Sequence, residues 1–244
     1  MSVNKNKINE SKKLTELRQL VSHFNNCLAN LKSRFAILDS MNDKSLISKI
    51  NKKESANTYQ TIQHSLLLTC TIDIANLGKD NDKRSLSLVN IMKLINDEEI
   101  KIELLNIRRN TRREISFISY KPPKEFVEEL YAEQTAKSVD IFEGSLKKLI
   151  AMYGNPEIKQ KLDKFWTVRS KIAAHKDIFN KNGELLLFSD SQVDINFKDI
   201  EQLVSDLEEF NNLFHTVVEA FEVGWESYDL EVKKSISNFW KPFY

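Results

Sequence analysis

Residues 164–177, KFWTVRSKIAAHKD, bring together side chains that can do chemistry. Placed on a helix at roughly 100° per residue, the apolar positions around them form one stripe: Ile158, Leu162, Phe165 and Ile172. Arg169 falls within this stripe, and a buried arginine needs an anionic partner because a stranded charge is costly to bury. We expect that anion to be either Asp73, on a predicted central helix, or a phosphate that binds from outside.

His175 follows Arg169 by six positions, at the predicted end of the same helix. Ideal helix geometry places the two roughly 120° apart, so they do not share one face of the helix. A long arginine side chain with a frayed helix end, or a two-fold interface between subunits, would bring them together. Such a pair suits RNA cleavage without a metal. Histidine exchanges protons near neutrality, and the arginine fork matches phosphate oxygens. Ser170 adds a hydroxyl, and Lys171 and Lys176 add positive charge.

A second basic feature lies in residues 108–113, which hold four of the eight arginines: Arg108, Arg109, Arg112 and Arg113. On a helix they form one strongly basic patch whose like charges repel unless anions lie nearby. The functional interpretation is contact with an RNA backbone, which would give affinity more than sequence choice. The alternative is a solvated face paired with acids such as Glu114, Glu128 and Glu129.

The elements that position these residues are predicted to be long helices. The chain has 244 residues but only five glycines and four prolines, where average usage gives roughly 17 and 12. Sandwiches, barrels and glycine-loop nucleotide folds need more of both at their turns. With 36 Lys+Arg against 35 Asp+Glu and a net charge of +1, any nucleic-acid role must come from a local patch.

Apolar periodicity and capping residues predict where the helices run. Two strict three-four stripes mark long helices over residues 14–38 and 200–221. Further helices are predicted at 54–77 with Gly78 as C-cap, from Ser85 or Ser87 to Ile95, from Asp97 to about 115, and at 124–153, 156–175 and 228–239. Residues 41–53 are interpreted as a loop or short helix, and a small β-hairpin is placed within 184–196, with strands at 185–188 and 193–195. Residues 1–53 form an N-terminal helical extension and residues 54–244 the main domain.

Cys27 and Cys70 both fall in apolar helical patterns and are interpreted as small core residues of a reducing compartment. Neither a signal peptide nor a membrane-spanning apolar run is visible, which predicts a cytoplasmic protein without membrane contact. His64 and His215 have no cysteine or histidine at ligand spacing, so we expect no metal and no cofactor.

Three segments resemble one branch of a known superfamily. RSKIAAHKD (169–177) resembles the signature of the HEPN superfamily, an arginine and a polar residue followed after a short interval by a histidine. LLLTCTIDIANLGKDNDKRSLSLVNIMKLI (66–95) and INFKDIEQLVSDLEEF (195–210) are similar to flanking helices of its AbiU-like branch, associated with abortive infection. The resemblance covers about residues 55–220.

The resemblance implies an all-α HEPN-like bundle, usually dimeric, with Arg–His pairs facing an interfacial cleft. In active members it implies metal-independent endoribonuclease activity, with Arg169 and His175 as the catalytic pair and Ser170 as the polar accessory. Asn, Asp or His is commoner at the position of Ser170. Asp177 stands where some toxin members carry a tyrosine that an antitoxin modifies, so that regulation is not expected here.

Three functions follow as hypotheses. The first is an endoribonuclease of phage defence or a toxin, in which His175 is the general acid and base and Arg169 stabilises the scissile phosphate. Its partners would be RNA, a second copy of the chain and an antitoxin or defence protein. The second is a non-catalytic dimerisation module that binds RNA, nucleotide or a partner protein. The third is a plain helical scaffold, in which Arg169 pairs with Asp73 and His175 caps a helix.

Overall fold

The computed structural model describes residues 10–50, 56–110, 123–174, 178–181, 184–187, 195–221 and 223–241. These residues form an all-α bundle with one small hairpin. The elements are α1 (Lys12–Ser40), α2 (Lys44–Ile50), α3 (Ala56–Lys79), α4 (Leu88–Ile95), α5 (Glu98–Asn110), α6 (Lys124–Gly154), α7 (Pro156–Val168), a π-helical segment (Arg169–Ala174), β1 (Ile178–Lys181), β2 (Glu184–Leu187), α8 (Phe197–Glu219) and α9 (Trp225–Trp240). None of the described helices is long and apolar enough to cross a membrane.

Helices α1 and α8 pack against each other and contribute to the same hydrophobic core. Both predicted stripes are confirmed, because their apolar positions are buried along one face of each helix. The ring of Phe24 meets that of Phe214 edge-on, with centroids 5.5 Å apart. Phe221 departs from the second stripe and is 52% exposed, because α8 ends at Glu219 and Ala220 adopts a left-handed conformation.

Helix α1 therefore shares one hydrophobic cluster with the helices that follow residue 55. Lys32 adds a polar contact to this packing. Its ammonium group pairs with Glu208 of α8 and, at 3.0 Å, with Asp229 of α9, and it lies over the ring of Trp225. The predicted boundary between residues 53 and 54 lies outside the described residues and stays a prediction.

Helix α3 packs closely on α7 at Gly78. The predicted role of Gly78 as a C-cap is wrong, because α3 continues through it to Lys79. A Cβ at this position would run into the side chain of Leu162 on α7. The glycine is therefore needed for a close approach of two helices. That approach brings the last turn of α3 beside the end of α7.

The hairpin lies earlier in the chain than predicted. Strand β1 pairs antiparallel with β2, and Ile178 stands opposite Leu187. The predicted strand at 185–188 therefore exists almost as placed, but its partner precedes it. Of the predicted partner at 193–195, residues 193 and 194 lie outside the described residues, and Ile195 is not in a strand.

The two cysteines differ in exposure. Cys70 on α3 is fully buried, as predicted, and burial raises the pKa of its thiol to about 12. Cys27 on α1 is exposed, so its prediction as a core residue is wrong. It directly precedes the buried Leu28, and that one step along the helix turns its side chain away from the stripe.

His215 on α8 is a buried imidazole that lacks hydrogen bonds. It is 6% exposed, packs on the Phe221 ring, and neither of its nitrogens has a hydrogen-bond partner within the described part of the chain. Burial lowers the pKa of His215 below its ordinary 6.5. As the pH falls below 6.5 the unfolded chain takes up this proton before the native one, so native stability declines on the acid side.

Replacing His215 by leucine is therefore expected to raise the free energy of unfolding by about 1 to 3 kcal/mol, since two buried polar atoms no longer go unpaired. It should also reduce the loss of stability below pH 6.5. Urea unfolding between pH 5 and pH 8 measures both effects, with the exposed His23→Leu as the matched control. An unchanged pH slope in His215→Leu would contradict the expectation.

Candidate functional site

Arg169 is the first residue of the π-helical segment that continues α7. A π-helix pairs residues five apart and occurs frequently at functional sites. Its wider turn also changes the direction in which side chains leave the axis. The angle of roughly 120° between Arg169 and His175 assumes an ideal α-helix and stays a prediction. His175 itself lies outside the described residues.

The guanidinium group of Arg169 is held from three sides. Its Nε donates a hydrogen bond to Oδ1 of Asn76 at 3.2 Å. Its Nη2 lies 4.0 Å from a carboxylate oxygen of Asp80, and its centre lies 4.7 Å from the ring centroid of Trp166. The side chain is 31% exposed. Arg169 is therefore oriented by its neighbours and still reached by solvent.

The predicted pairing of Arg169 with Asp73 is wrong. The carboxylate of Asp73 pairs instead with Arg34 of α1. Burial raises the pKa of Asp73, although Arg34 acts against that rise. Asp73 precedes Asn76 by three positions, which is a rotation of about 60° around α3. That rotation directs Asp73 to α1 and Asn76 to α7.

Asp80 sits in a turn whose hydrogen bonds fix its position. Its backbone carbonyl accepts bonds from the hydroxyls of Ser85 at 3.2 Å and Ser87 at 2.5 Å, and its Oδ1 accepts from the amide of Asp82 at 3.0 Å. Ser87 also caps α4, so of the two serines predicted as possible caps, Ser85 and Ser87, it is the second that does so. Sequence reasoning missed both Asn76 and Asp80. Their spacing of four positions, one helical turn, was the available signal.

Two of the other predicted site residues lie beside Arg169 in the π-helical segment. Ser170 is half-buried in the π-helical segment, and Lys171 is exposed there. Lys176, like His175, lies outside the described residues. Within the described ranges, no group of three or more His, Cys, Asp or Glu is placed to hold a metal ion.

The arginines of the predicted basic patch do not share one role. Arg108 is only 6% exposed, and its Nη2 donates to the carbonyls of Thr216 at 2.7 Å and Val217 at 2.8 Å. Its assignment to RNA contact is therefore wrong, because its cation satisfies the carbonyl end of α8. Arg109 is exposed, as RNA contact requires. Arg112 and Arg113 lie outside the described residues.

The all-α bundle of the described residues is consistent with a HEPN-type domain. A protein-family model for HEPN domains, described as AbiU2, matches the chain over residues 14–229. The protein belongs to this AbiU2 family, which is associated with abortive infection. The match includes α1, whereas the resemblance seen in the sequence starts near residue 55. No curated protein and no solved structure matches the chain.

Proposed function

We propose that this protein is a metal-independent endoribonuclease acting in abortive infection or as a toxin. The observation that carries the proposal is the state of Arg169. Its guanidinium is oriented by a neutral amide and an aromatic face, and it is not consumed by a tight ion pair. A partly exposed, preorientated arginine is suited to bind a phosphate whose charge grows in the transition state.

In the proposed reaction His175 removes the proton from a ribose 2′-hydroxyl, whose oxygen attacks the adjacent phosphorus. The bond from phosphorus to the 5′-oxygen of the next nucleotide breaks, and the leaving oxygen takes up a proton, which histidine can also supply. Arg169 stabilises the negative charge on the non-bridging oxygens. The products are a 2′,3′-cyclic phosphate and a 5′-hydroxyl end. Ser170 is the accessory polar group, and the predicted homodimer and cytoplasmic location belong to the proposal.

The test incubates purified wild-type protein and His175→Ala with total RNA in excess chelator. We expect cleavage by the wild type and a loss of about 100-fold or more in His175→Ala, the usual contribution of a general acid–base group. An oligonucleotide with 2′-deoxyribose at every position should resist cleavage. Equal cleavage by both proteins would mean that a contaminant cuts the RNA. An intact substrate that the wild type only binds would support a non-catalytic module instead.

A further inference from the structure

Arg169 is anchored by an uncharged residue, and an acid stands close to it without bonding tightly. The anchor, Oδ1 of Asn76, carries no net charge, so its hydrogen bond to Nε orients the guanidinium and leaves its charge uncompensated. Arginine has five N–H donors in a rigid fork, and fixing Nε fixes the direction of the rest. The guanidinium carbon also lies over the ring of Trp166, 4.7 Å from its centroid, so that ring limits the movement of the group on one side.

The carboxylate of Asp80 is a different kind of neighbour. Its oxygen lies 4.0 Å from Nη2, beyond the 2.7–2.9 Å typical of a charge-assisted hydrogen bond. The backbone and side-chain bonds of its own turn hold Asp80 at that distance. Asp80 is only 19% exposed, so water screens its charge less than that of a surface acid. A phosphate arriving at Arg169 therefore meets a negative charge already in place.

We propose that Asn76 is the positioning residue of Arg169 and that Asp80 weakens phosphate binding by competing for the same guanidinium. This inference rests on the proposed function for the identity of the ligand, an RNA phosphate. It adds that Asp80 keeps the affinity for the phosphate below the affinity that Arg169 would have without it. Removing the charge of Asp80 thus increases binding, an outcome that simple damage to the fold would not produce.

The orientation of Arg169 is tested in the free protein. The Nε–H resonance of Arg169, assigned by its disappearance in Arg169→Lys, is followed by ¹⁵N NMR in the wild type, Asn76→Ala and Asn76→Asp. In Asn76→Ala we expect about tenfold faster exchange of this proton with water, because its acceptor is gone. Asn76→Asp retains an acceptor and should retain the protection. Unchanged exchange in Asn76→Ala overturns the positioning role.

The competition is tested with a 2′-O-methyl RNA oligonucleotide, which lacks the attacking hydroxyl and reports binding alone. Asp80→Asn keeps the oxygen that accepts from Asp82 and loses the charge, and we expect at least about two- to fivefold tighter binding at low salt, since even a fully exposed charge pair contributes that much. Asn76→Asp should bind more weakly than the wild type. Asp82→Asn is the matched control, since it removes an exposed carboxylate of the same turn that pairs with Arg84.

The gain in Asp80→Asn should vanish in the Arg169→Ala background, because the two residues act through one contact. A gain that persists there, equal gains in Asp80→Asn and Asp82→Asn, or no oligonucleotide binding by either wild type or Asp80→Asn would each overturn the competition. If the binding results hold but the wild type leaves cleavable RNA intact, the nuclease proposal fails and this inference stands. If the wild type cleaves RNA and Asp80→Asn shows no gain in binding, the nuclease proposal stands and the competition by Asp80 is wrong.

Discussion

Replacing Arg169 by alanine is expected to lower the rate of RNA cleavage about 100- to 1000-fold, the usual cost of losing one donor to a transition-state oxyanion. Arg169→Lys should recover part of this loss. Lysine keeps the positive charge but has no Nε–H to donate to Asn76. Its flexible ammonium group is therefore not held in one orientation. We therefore expect Arg169→Lys to remain about tenfold or more below the wild type at saturating RNA.

Arg84→Ala is the matched control for these variants. Its side chain is 91% exposed, and it lies in the same turn as Asp80. It removes one positive charge near the site without touching Arg169, so its cleavage rate should stay near that of the wild type. Single-turnover rates, with thermal unfolding of each variant beside them, separate chemistry from folding. Equal rates in Arg84→Ala and Arg169→Ala would reduce Arg169 to a general contribution of charge.

The sequence predicts most of the helical architecture because that architecture depends on local signals. The stripes of α1 and α8 mark their buried faces, and Ser87 begins α4 where capping chemistry requires it. Gly78 shows the limit of such signals. A glycine near the end of an apolar run is typical of a C-cap, and a close approach to Leu162 depends on a helix more than eighty positions away.

At the candidate site, too, the sequence predicts what depends on neighbouring residues and misses what depends on the packing of distant helices. The need for a partner at Arg169 follows from its place in an apolar stripe. The choice of partner does not, because Asp73 and Asn76 lie only about 60° apart on α3 and the packing of α1 decides between them. The π-helical segment adds a second limit, since its six residues are too few to reveal a changed apolar period in the sequence.

Arg108 is the residue whose role the sequence misassigned most fully. Four arginines within six positions indicate a basic surface, and nothing nearby in the chain reveals that one of them reaches α8. Thr216 and Val217 lie among the last four residues of α8, whose carbonyls have no partner within the helix. The guanidinium supplies those bonds and complements the negative end of the helix dipole.

Arg108→Ala is therefore expected to lower the free energy of unfolding by about 3 kcal/mol, since it leaves two buried carbonyls without their charged donor. For a chain of this size that corresponds to a melting temperature about 6 to 12 °C lower. The neighbouring Arg109→Ala removes the same side chain from an exposed position and should stay within about 0.5 kcal/mol of the wild type. Thermal and urea unfolding of the two variants measure the difference.

For RNA binding, in contrast to stability, we expect the larger effect from Arg109→Ala and the smaller from Arg108→Ala. If Arg109 contacts the RNA backbone, Arg109→Ala weakens binding of the 2′-O-methyl oligonucleotide and reduces its dependence on salt by about one ion. Arg108→Ala, measured well below its melting temperature, should leave that salt dependence unchanged, because its cation is committed to α8. A reduced salt dependence in Arg108→Ala with unaltered stability would show that this arginine leaves the end of α8 to bind phosphate.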